Sequence, residues 1–457
     1  MEIKTKDVVI IGAGLTGLTL AYYLKKSGKD VLLIEEQDRT GGVINSVSEQ
    51  GFTYETGPST GVIGTLEIAE LFEDLSNKCS LEIADKSAKK RYILKNGKWH
   101  ALPSGLISAI KTPLFSWYDK FRILGEPFRK KGTNPDESVA DLVVRRLGKS
   151  YLDYAVDPFV SGVYAGDPTK LITRFALPKL YLLEQNYGSF VGGSIKKQRE
   201  PKSPFAYKIT HDVFSVKTGL NGLMIALTEE IGSANIVTSA KETKITPLKE
   251  GYELNFKKAQ DETVVLQTTK VVTTVGGYAL PNLLPFIAKE EIKALKNMTY
   301  APVIQAAVGY NKWNAKPLDA FGALVPAKEK RNVLGILYPS AIFENRAPKG
   351  GALLSVFLGG IKKSELLHKS DEELKALIME EVRSTLAVND NPDLVRIFRY
   401  QHAIAQYDIS SGERLASIAR IEKAWPGLIL AGNIRDGIGM GDRVKQAKHL
   451  ASILFSK

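Results

Sequence analysis

The sequence predicts an α/β fold: a discontinuous Rossmann-type dinucleotide-binding domain, an inserted α+β domain, and a helical, basic subdomain. Three observations carry this reading. A β-branched run at the N-terminus breaks into Gly12-Ala13-Gly14-Leu15-Thr16-Gly17. A second glycine-rich strand-to-helix turn lies near the C-terminus, in residues 427–441. Between them, residues 86–131 hold twelve Lys and Arg but only Asp119 and Glu126 as acids, so ten of the chain's +12 net charges sit in one segment.

The 457 residues suit about two or three domains, each large enough for its own core. With 44% hydrophobic and 25% charged residues, disordered, collagen-like and coiled-coil classes are excluded. The single cysteine, Cys79, can form neither an internal disulfide nor a cysteine zinc site, which points to a reducing compartment. The five histidines have no pair at ligand spacing, so no metal site is expected. The basic segment lacks zinc-finger, helix-turn-helix or RNP patterning, and nucleic acid is not expected as a partner.

Asp7 to Ile11 reads as a buried strand, followed by a helix to Ser27 and a second strand from Asp30 to Glu35. The glycines have physical duties. Gly12 permits the tight turn, Gly14 lets a pyrophosphate reach the backbone, and Gly17 lets helix and strand pack closely. The amides of Ala13, Leu15 and Thr16 and the helix dipole favour the phosphates. Glu35, with Glu36 beside it, closes the second strand 23 residues after Gly12, where a carboxylate can accept the ribose hydroxyls. Residues 8–24 are uncharged, but their three glycines and a length at the bottom of the spanning range argue against a signal peptide or membrane span.

At the other end, residues 427–431 read as a strand, Gly432-Asn433 as a turn, and Asp436 to Gly441 as the approach to a helix from Asp442. Such a helix N-terminus can stabilise negative charge. Arg39-Thr40-Gly41-Gly42, following the acid, resembles the flavin amine-oxidase-like superfamily, which makes FAD the expected cofactor.

More specifically, the chain resembles the oxygen-dependent protoporphyrinogen oxidases over nearly its whole length. The stretches that carry this are Arg39 to Ile44 with Ser46, Glu55-Thr56-Gly57-Pro58 and Lys90-Arg91-Tyr92-Ile93. They continue with LFSWYDKFRIL from Leu114, DPFVSGVYAGDPTKL from Asp157, LEQNYGS from Leu183 and FGALVPAKE from Phe321. LGILYPSAIF from Leu334, FENRAP from Phe343 and AGNIRDGIG from Ala431 complete the set. SGVYAGDP is most similar to the plant and cyanobacterial branch.

The resemblance implies FAD contacts at Arg39, Gly41, Gly42, Gly57, Pro58, Ser59, Thr60, Asn433, Ile438, Gly439 and Met440, and a backbone contact from Ile245 to the adenine. Where the family often places Asn, Asp or Arg, this chain has Ser59-Thr60-Gly61, so only the backbone role carries over there. It also implies Arg91 as the partner of a substrate propionate, Leu324 and Leu337 as walls on the macrocycle, and Phe357 stacking on it. Gly162 and Gly166 are expected in a loop that admits the substrate edge. A planar guanidinium suits a carboxylate better than lysine does. The implied reaction is oxidation of protoporphyrinogen IX with O2 as acceptor, by hydride transfer from a methane-bridge carbon. No catalytic acid or base is assigned.

Coproporphyrinogen III oxidation stays open, because the basic segment suits a substrate with four propionates. A non-catalytic flavin-fold binding protein is the remote alternative. The resemblance brings in as partners an anionic membrane surface, a ferrochelatase that takes the product, and a second copy of the chain. The motif starts at residue 8, leaving no room for a transit peptide, so a cytoplasmic protein, peripheral on the inner face of the cell membrane, is expected.

The domain reading places the FAD-binding domain in 1–85, 206–295 and 411–457, a helical membrane- or dimer-type subdomain in 86–205, and the substrate sheet in 296–410. Trp99, Phe115, Trp117, Tyr118, Phe121 and Phe128 alternate with cations in the helical part. Gly219 to Leu223 begins a helix, and Asn235 to Thr246 returns to the first sheet. Ala301-Pro302 is the expected entry turn of the substrate sheet, and Ser370 with Glu373 predicts a capping box opening a helix to Leu386.

Overall fold

The computed structural model describes residues 4–201, 203–258 and 262–455. Its first sheet has the strand order Ile236–Val237, Val31–Ile34, Lys4–Ile11, Thr263–Thr273, Tyr252–Lys257 and Lys241–Pro247. Leu428–Leu430 pairs in parallel with the C-terminal end of Thr263–Thr273, so both chain ends enter one sheet. The parallel strands are buried on both faces, which is why they read as uninterrupted apolar runs. The helix Leu15–Lys26 packs on one side with the C-terminal helix Met440–Phe455 beside it. That last helix starts two residues before the Asp442 expected from the sequence, because Asp442 caps from inside, its Oδ2 accepting from the Gly439 amide at 3.1 Å.

The second sheet runs Leu394–Ala405, Tyr300–Tyr310, Ala352–Gly359, Val333–Leu337, Ala320–Leu324, Lys90–Lys95, Lys98–Ala101. Two expectations are corrected here. The strands Lys90–Lys95 and Lys98–Ala101 fall in the segment expected to be helical, yet they close the substrate sheet, with Lys90–Lys95 parallel to Ala320–Leu324. Ala301-Pro302 is not a turn. It lies inside the strand Tyr300–Tyr310, where a register shift between Ala301 and Val303 accommodates a proline that cannot donate to the ladder.

One face of this sheet is covered by the helix Asp371–Leu386, whose Leu374, Ile378 and Val382 pack on Ile304, Ala323, Ile336 and Val356. Ser370 caps it as expected, its hydroxyl accepting from the Glu373 amide at 3.2 Å while Glu373 accepts from the Ser370 amide at 2.9 Å.

The helical part spans residues 106–198. A buried ion-pair cluster holds it. Arg146 pairs with Glu126, both wholly buried, and Arg145 bridges Glu137 at 2.7 Å and Glu184 at 2.8 Å. Glu126 also accepts from the amides of Phe190 (2.9 Å) and Val191 (3.0 Å), complementing the start of the helix Phe190–Gln198. A π-helical turn, Leu152–Val156, precedes the helix Asp157–Tyr164, which lies against Ala320–Leu324 and Val333–Leu337.

Candidate active site

The N-terminal glycine loop has the form a pyrophosphate requires. Gly12 has φ +100°, and a Cβ there would stand 2.6 Å from Thr274 Oγ1, the hydroxyl that donates to the carbonyls of Ile11 and Gly12. Gly14 is the N-cap of Leu15–Lys26. It has no side-chain capping bond, and the space where its Cβ would be is open. The first turn carries no acid, so its amides and dipole are available to an anion. Gly17 packs against the Gly12 carbonyl.

Glu35 is buried, its Oε2 accepting from the Ala13 amide at 2.7 Å and its Oε1 from the Gln37 amide at 2.9 Å. Both oxygens keep a free lone pair, and their orientation is fixed by the loop they face. Glu36 beside it is exposed.

Arg39 to Gly42 folds onto this loop. The Gly41 amide donates to the Ala13 carbonyl at 2.8 Å, and Gly42 lies against Gly14 Cα. The Arg39 guanidinium donates to the carbonyls of Thr40 (3.1 Å) and Gly42 (2.8 Å), which stiffens the loop. Thr40 Oγ1 meets Thr228 Oγ1 at 2.9 Å on the helix Asn221–Ile231. Glu55 holds the start of that helix, its Oε1 accepting from the Leu220 amide at 2.8 Å and its Oε2 from Ser46 Oγ at 2.6 Å. Burial pushes the Glu55 carboxyl up to about 7, opposed by those two donors and by the charge of Arg346.

Gly57 packs on the Val43 carbonyl, and Pro58 and Thr60 are half-buried beside it. Ser59 is buried with a hydroxyl that has no partner among the described residues. Ile245 lies on the outermost strand of the first sheet, paired with Leu254, and is wholly buried.

The C-terminal loop is tied from behind by residues that carried no motif. Tyr407 OH receives the Gly437 amide at 2.9 Å and lies 3.2 Å from the Asn433 carbonyl. Gln446 accepts from the Gly432 amide at 2.8 Å, and Arg443 donates to the carbonyls of Arg435 and Asp436. Arg414, wholly buried, donates to the Ile434 carbonyl at 3.0 Å. Ile438 and Met440 are half-buried and Gly439 is exposed at the mouth of this loop. An open, uncapped helix start, a fixed acid at the strand end and an orphaned buried hydroxyl at Ser59 fit FAD.

The substrate-type residues gather on one surface. Strand register pairs Arg91 with Gly322, Gly322 with Leu337, Leu324 with Gly335 and Gly335 with Phe357. Directly paired and alternate residues share a face, so Arg91, Leu324, Leu337 and Phe357 stand on the same side of the sheet. That is the side away from the helix Asp371–Leu386. The three apolar residues on it are only half-buried, unlike Ala323, Ile336 and Val356 opposite. The same face carries Gln305, whose Nε2 donates to the Glu55 carbonyl at 2.9 Å, and Tyr400, whose OH donates to the Thr56 carbonyl at 2.8 Å. The half-buried patch therefore adjoins Glu55-Thr56-Gly57-Pro58.

Arg91 is exposed. Its guanidinium lies 5.2 Å from the Phe321 ring centroid and makes no hydrogen bond or ion pair among the described residues. Three other cations of the basic segment are occupied: Lys90 by Asp319 at 2.5 Å, Lys95 by the Leu114 carbonyl at 2.7 Å, and Lys120 by the Thr112 carbonyl at 2.8 Å.

Gly162 differs from expectation, whereas Gly166 lies in a loop as expected. Gly162 lies within the helix Asp157–Tyr164, not in a loop, and the room left by its missing side chain is filled by Leu324 Cδ2. Gly166 gives way to Gln406, whose Oε1 would stand 2.6 Å from a Cβ there. Both glycines serve close packing around the patch.

Among the described residues no group of His, Cys, Asp and Glu could hold a metal ion, and no helix is long and apolar enough to cross a membrane.

Residues 15–448 match the family described as flavin containing amine oxidoreductase. The chloroplastic protoporphyrinogen oxidase of Nicotiana tabacum is 32% identical over 98% of this chain and 85% of its own length. The coproporphyrinogen III oxidase of Bacillus subtilis (strain 168) is 26% identical over 98% of this chain and 97% of its own. A crystal structure from Exiguobacterium sp. 255-15, 22% identical and covering the whole of both chains, superposes with a TM-score of 0.82 and so shares the fold.

Proposed function

We propose, from the premise that this chain belongs to the flavin containing amine oxidoreductases, that it is an FAD oxidoreductase converting protoporphyrinogen IX to protoporphyrin IX with O2 as acceptor. The observation that carries the substrate is the half-buried apolar face of Leu324, Leu337 and Phe357 with unpartnered Arg91 on it. A porphyrinogen is a broad apolar macrocycle with carboxylates at its edge, and a cation without an internal partner is what such an edge needs.

Bound FAD supplies the hydride acceptor and its reoxidation by oxygen. The chain's own residues bind and orient. Gly12, Gly14, Gly17 and the helix start hold the pyrophosphate, and Glu35 takes the ribose. The loops Arg39–Gly42, Gly57–Thr60 and 433–440 frame the flavin end. Leu324, Leu337 and Phe357 fix the plane of the macrocycle and exclude water, while Arg91 sets its in-plane orientation. Orientation of this kind is worth several powers of ten in rate.

The relative that oxidises coproporphyrinogen III supports the second reading. Pairing within the chain weighs against it: on this sheet face Arg396 already holds Glu49 at 2.8 and 2.9 Å, and Lys95 donates to the Leu114 carbonyl at 2.7 Å. Four propionates would need more cations than Arg91 and Lys98, the two on this face without a hydrogen bond or ion pair among the described residues. Turnover of the two porphyrinogens, followed by porphyrin fluorescence, decides between them. Faster oxidation of protoporphyrinogen is expected, and inactivity on it contradicts the proposal.

Peripheral binding to anionic lipid belongs to the same reading. Leu106, Ile107, Trp117, Phe121, Leu124 and Phe128 are all exposed on two short helices and the turn after them, and exposed Lys111, Lys130 and Lys131 lie among them in sequence. Apolar side chains interleaved with cations suit a headgroup region, and this surface would let a poorly soluble product leave into lipid or to a ferrochelatase. Co-sedimentation with vesicles should rise with their anionic lipid content. A second copy of the chain is the competing occupant, and a dimer that survives dilution would favour it.

A further inference from the structure

The loop 431–439 and the helix Met440–Phe455 contain more positive charge than the protein neutralises. Arg443 sits in the first turn of that helix, only 7% exposed. A helix start is itself partially positive, so a buried cation there is opposed by both desolvation and the dipole. Its Nη2 donates to the carbonyls of Arg435 (2.9 Å) and Asp436 (2.8 Å), its Nη1 lies 3.3 Å from Gln446 Oε1, and its Nε has no partner. Among the described residues no carboxylate forms an ion pair with it. Asp436 is engaged by Arg435 and Gln446, and Asp442 caps the Gly439 amide.

Arg414 repeats the pattern on the other side of the loop. It is wholly buried, donates to the Ile434 and Gln406 carbonyls and to Ser411 Oγ, lies 5.0 Å from the Tyr407 ring centroid, and has no carboxylate partner among the described residues. Two buried guanidiniums without counter-charge bracket one glycine-rich loop. Such an arrangement is tolerated when an anion completes it.

We propose that Arg443 is a positioning residue that, through the loop 432–439, holds positive charge against the flavin end of the cofactor and makes reduction of the ring more favourable. The inference rests on the FAD reading of this loop. The negative charge that a flavin gains on accepting a hydride is the anion that completes the site, with Arg414 adding to the same field and the Met440 helix start adding its dipole.

Two variants separate charge from scaffolding. Arg443→Gln keeps a donor for the Arg435 and Asp436 carbonyls and loses the charge; Arg443→Lys keeps the charge and loses the planar fork. FAD per chain is measured first, then the midpoint potential of each holoprotein by spectroelectrochemical titration. The Gln variant is expected to hold FAD with its reduction at least tenfold less favourable, about 30 mV lower for a two-electron couple. The Lys variant should stay within about threefold of the parent, less than half that shift on the same scale. FAD retained by Lys but lost by Gln would also support the proposal. An unchanged potential in fully loaded Arg443→Gln, an equal shift in both variants, or loss of FAD from both would overturn it and leave Arg443 as a loop clamp. A parent protein that binds no FAD would instead strike the proposed function, so the two failures are distinguishable.

Discussion

Gln305 Nε2, on the substrate-type sheet, donates to the carbonyl of Glu55, in the cofactor motif, at 2.9 Å across 250 residues of chain. Both residues are buried, and this bond with that of Tyr400 OH to Thr56 sets where the apolar sheet face stands relative to Gly57-Pro58. Replacing Gln305 with Leu leaves a buried carbonyl unsatisfied, which costs about 1 to 3 kcal/mol. A thermal melt should show that loss, and KM for the porphyrinogen should rise while FAD content holds. An unchanged melting temperature and KM would mean that the two sheets are aligned by other contacts.

Arg91→Ala removes a cation of the patch that has no hydrogen bond or ion pair among the described residues. Losing a hydrogen-bonded charge partner should weaken substrate binding by on the order of 1.5 to 3 kcal/mol, seen in KM. Because Arg91 is exposed and makes no hydrogen bond or ion pair among the described residues, stability and FAD content should change little. Steady-state kinetics beside a melt check both halves of this expectation.

Gly162→Ala tests the packing of the helix Asp157–Tyr164 on Leu324. In a helix the change from Gly to Ala is favourable by about 1 kcal/mol, but the new methyl must displace Leu324 Cδ2. The protein should remain folded with full FAD while KM rises. A lower melting temperature with unchanged KM would place Leu324 in the core and not in the substrate wall.

Glu55 predicts a pH dependence. Its carboxyl lies at about 7 in the folded protein against 4.5 ordinarily, so the folded state binds this proton more tightly than the unfolded chain. Stability from this group is full below about 4.5, falls as pH rises toward about 7, and is lost above that, a change on the order of 3 kcal/mol. In Glu55→Gln that slope should vanish from urea unfolding measured between pH 5 and 8, a window that spans the folded value of about 7.

The cofactor end of the fold was legible because its signals are local. A strand, Gly12 to Gly17, a helix and Glu35 occur in one short stretch, and each residue type has one physical duty there. The capping box at Ser370 was readable for the same reason. What was not legible depends on long-range packing. The strands Lys90–Lys95 and Lys98–Ala101 sit in a basic, aromatic segment that reads as helical, and only pairing with Ala320–Leu324 makes them sheet. Gly162 carries a loop-like composition around it, but Leu324 decides its place. Arg414, Arg443, Tyr407 and Thr274 belong to no motif, since their roles are hydrogen bonds to backbone groups of loops, and those of Arg414, Tyr407 and Thr274 reach across 20, 30 and 263 residues. The charge of the basic segment was visible, but not that Lys95, Lys120 and Arg122 spend it on carbonyls of the helical part.

The most direct test of the whole account is anaerobic mixing of the purified protein with protoporphyrinogen IX, recording flavin absorption and porphyrin fluorescence together. The account predicts a bound flavin that bleaches on mixing, and recovers with growth of porphyrin fluorescence when oxygen is admitted. A flavin that stays oxidised in excess protoporphyrinogen, or a protein with no flavin to bleach, would contradict it.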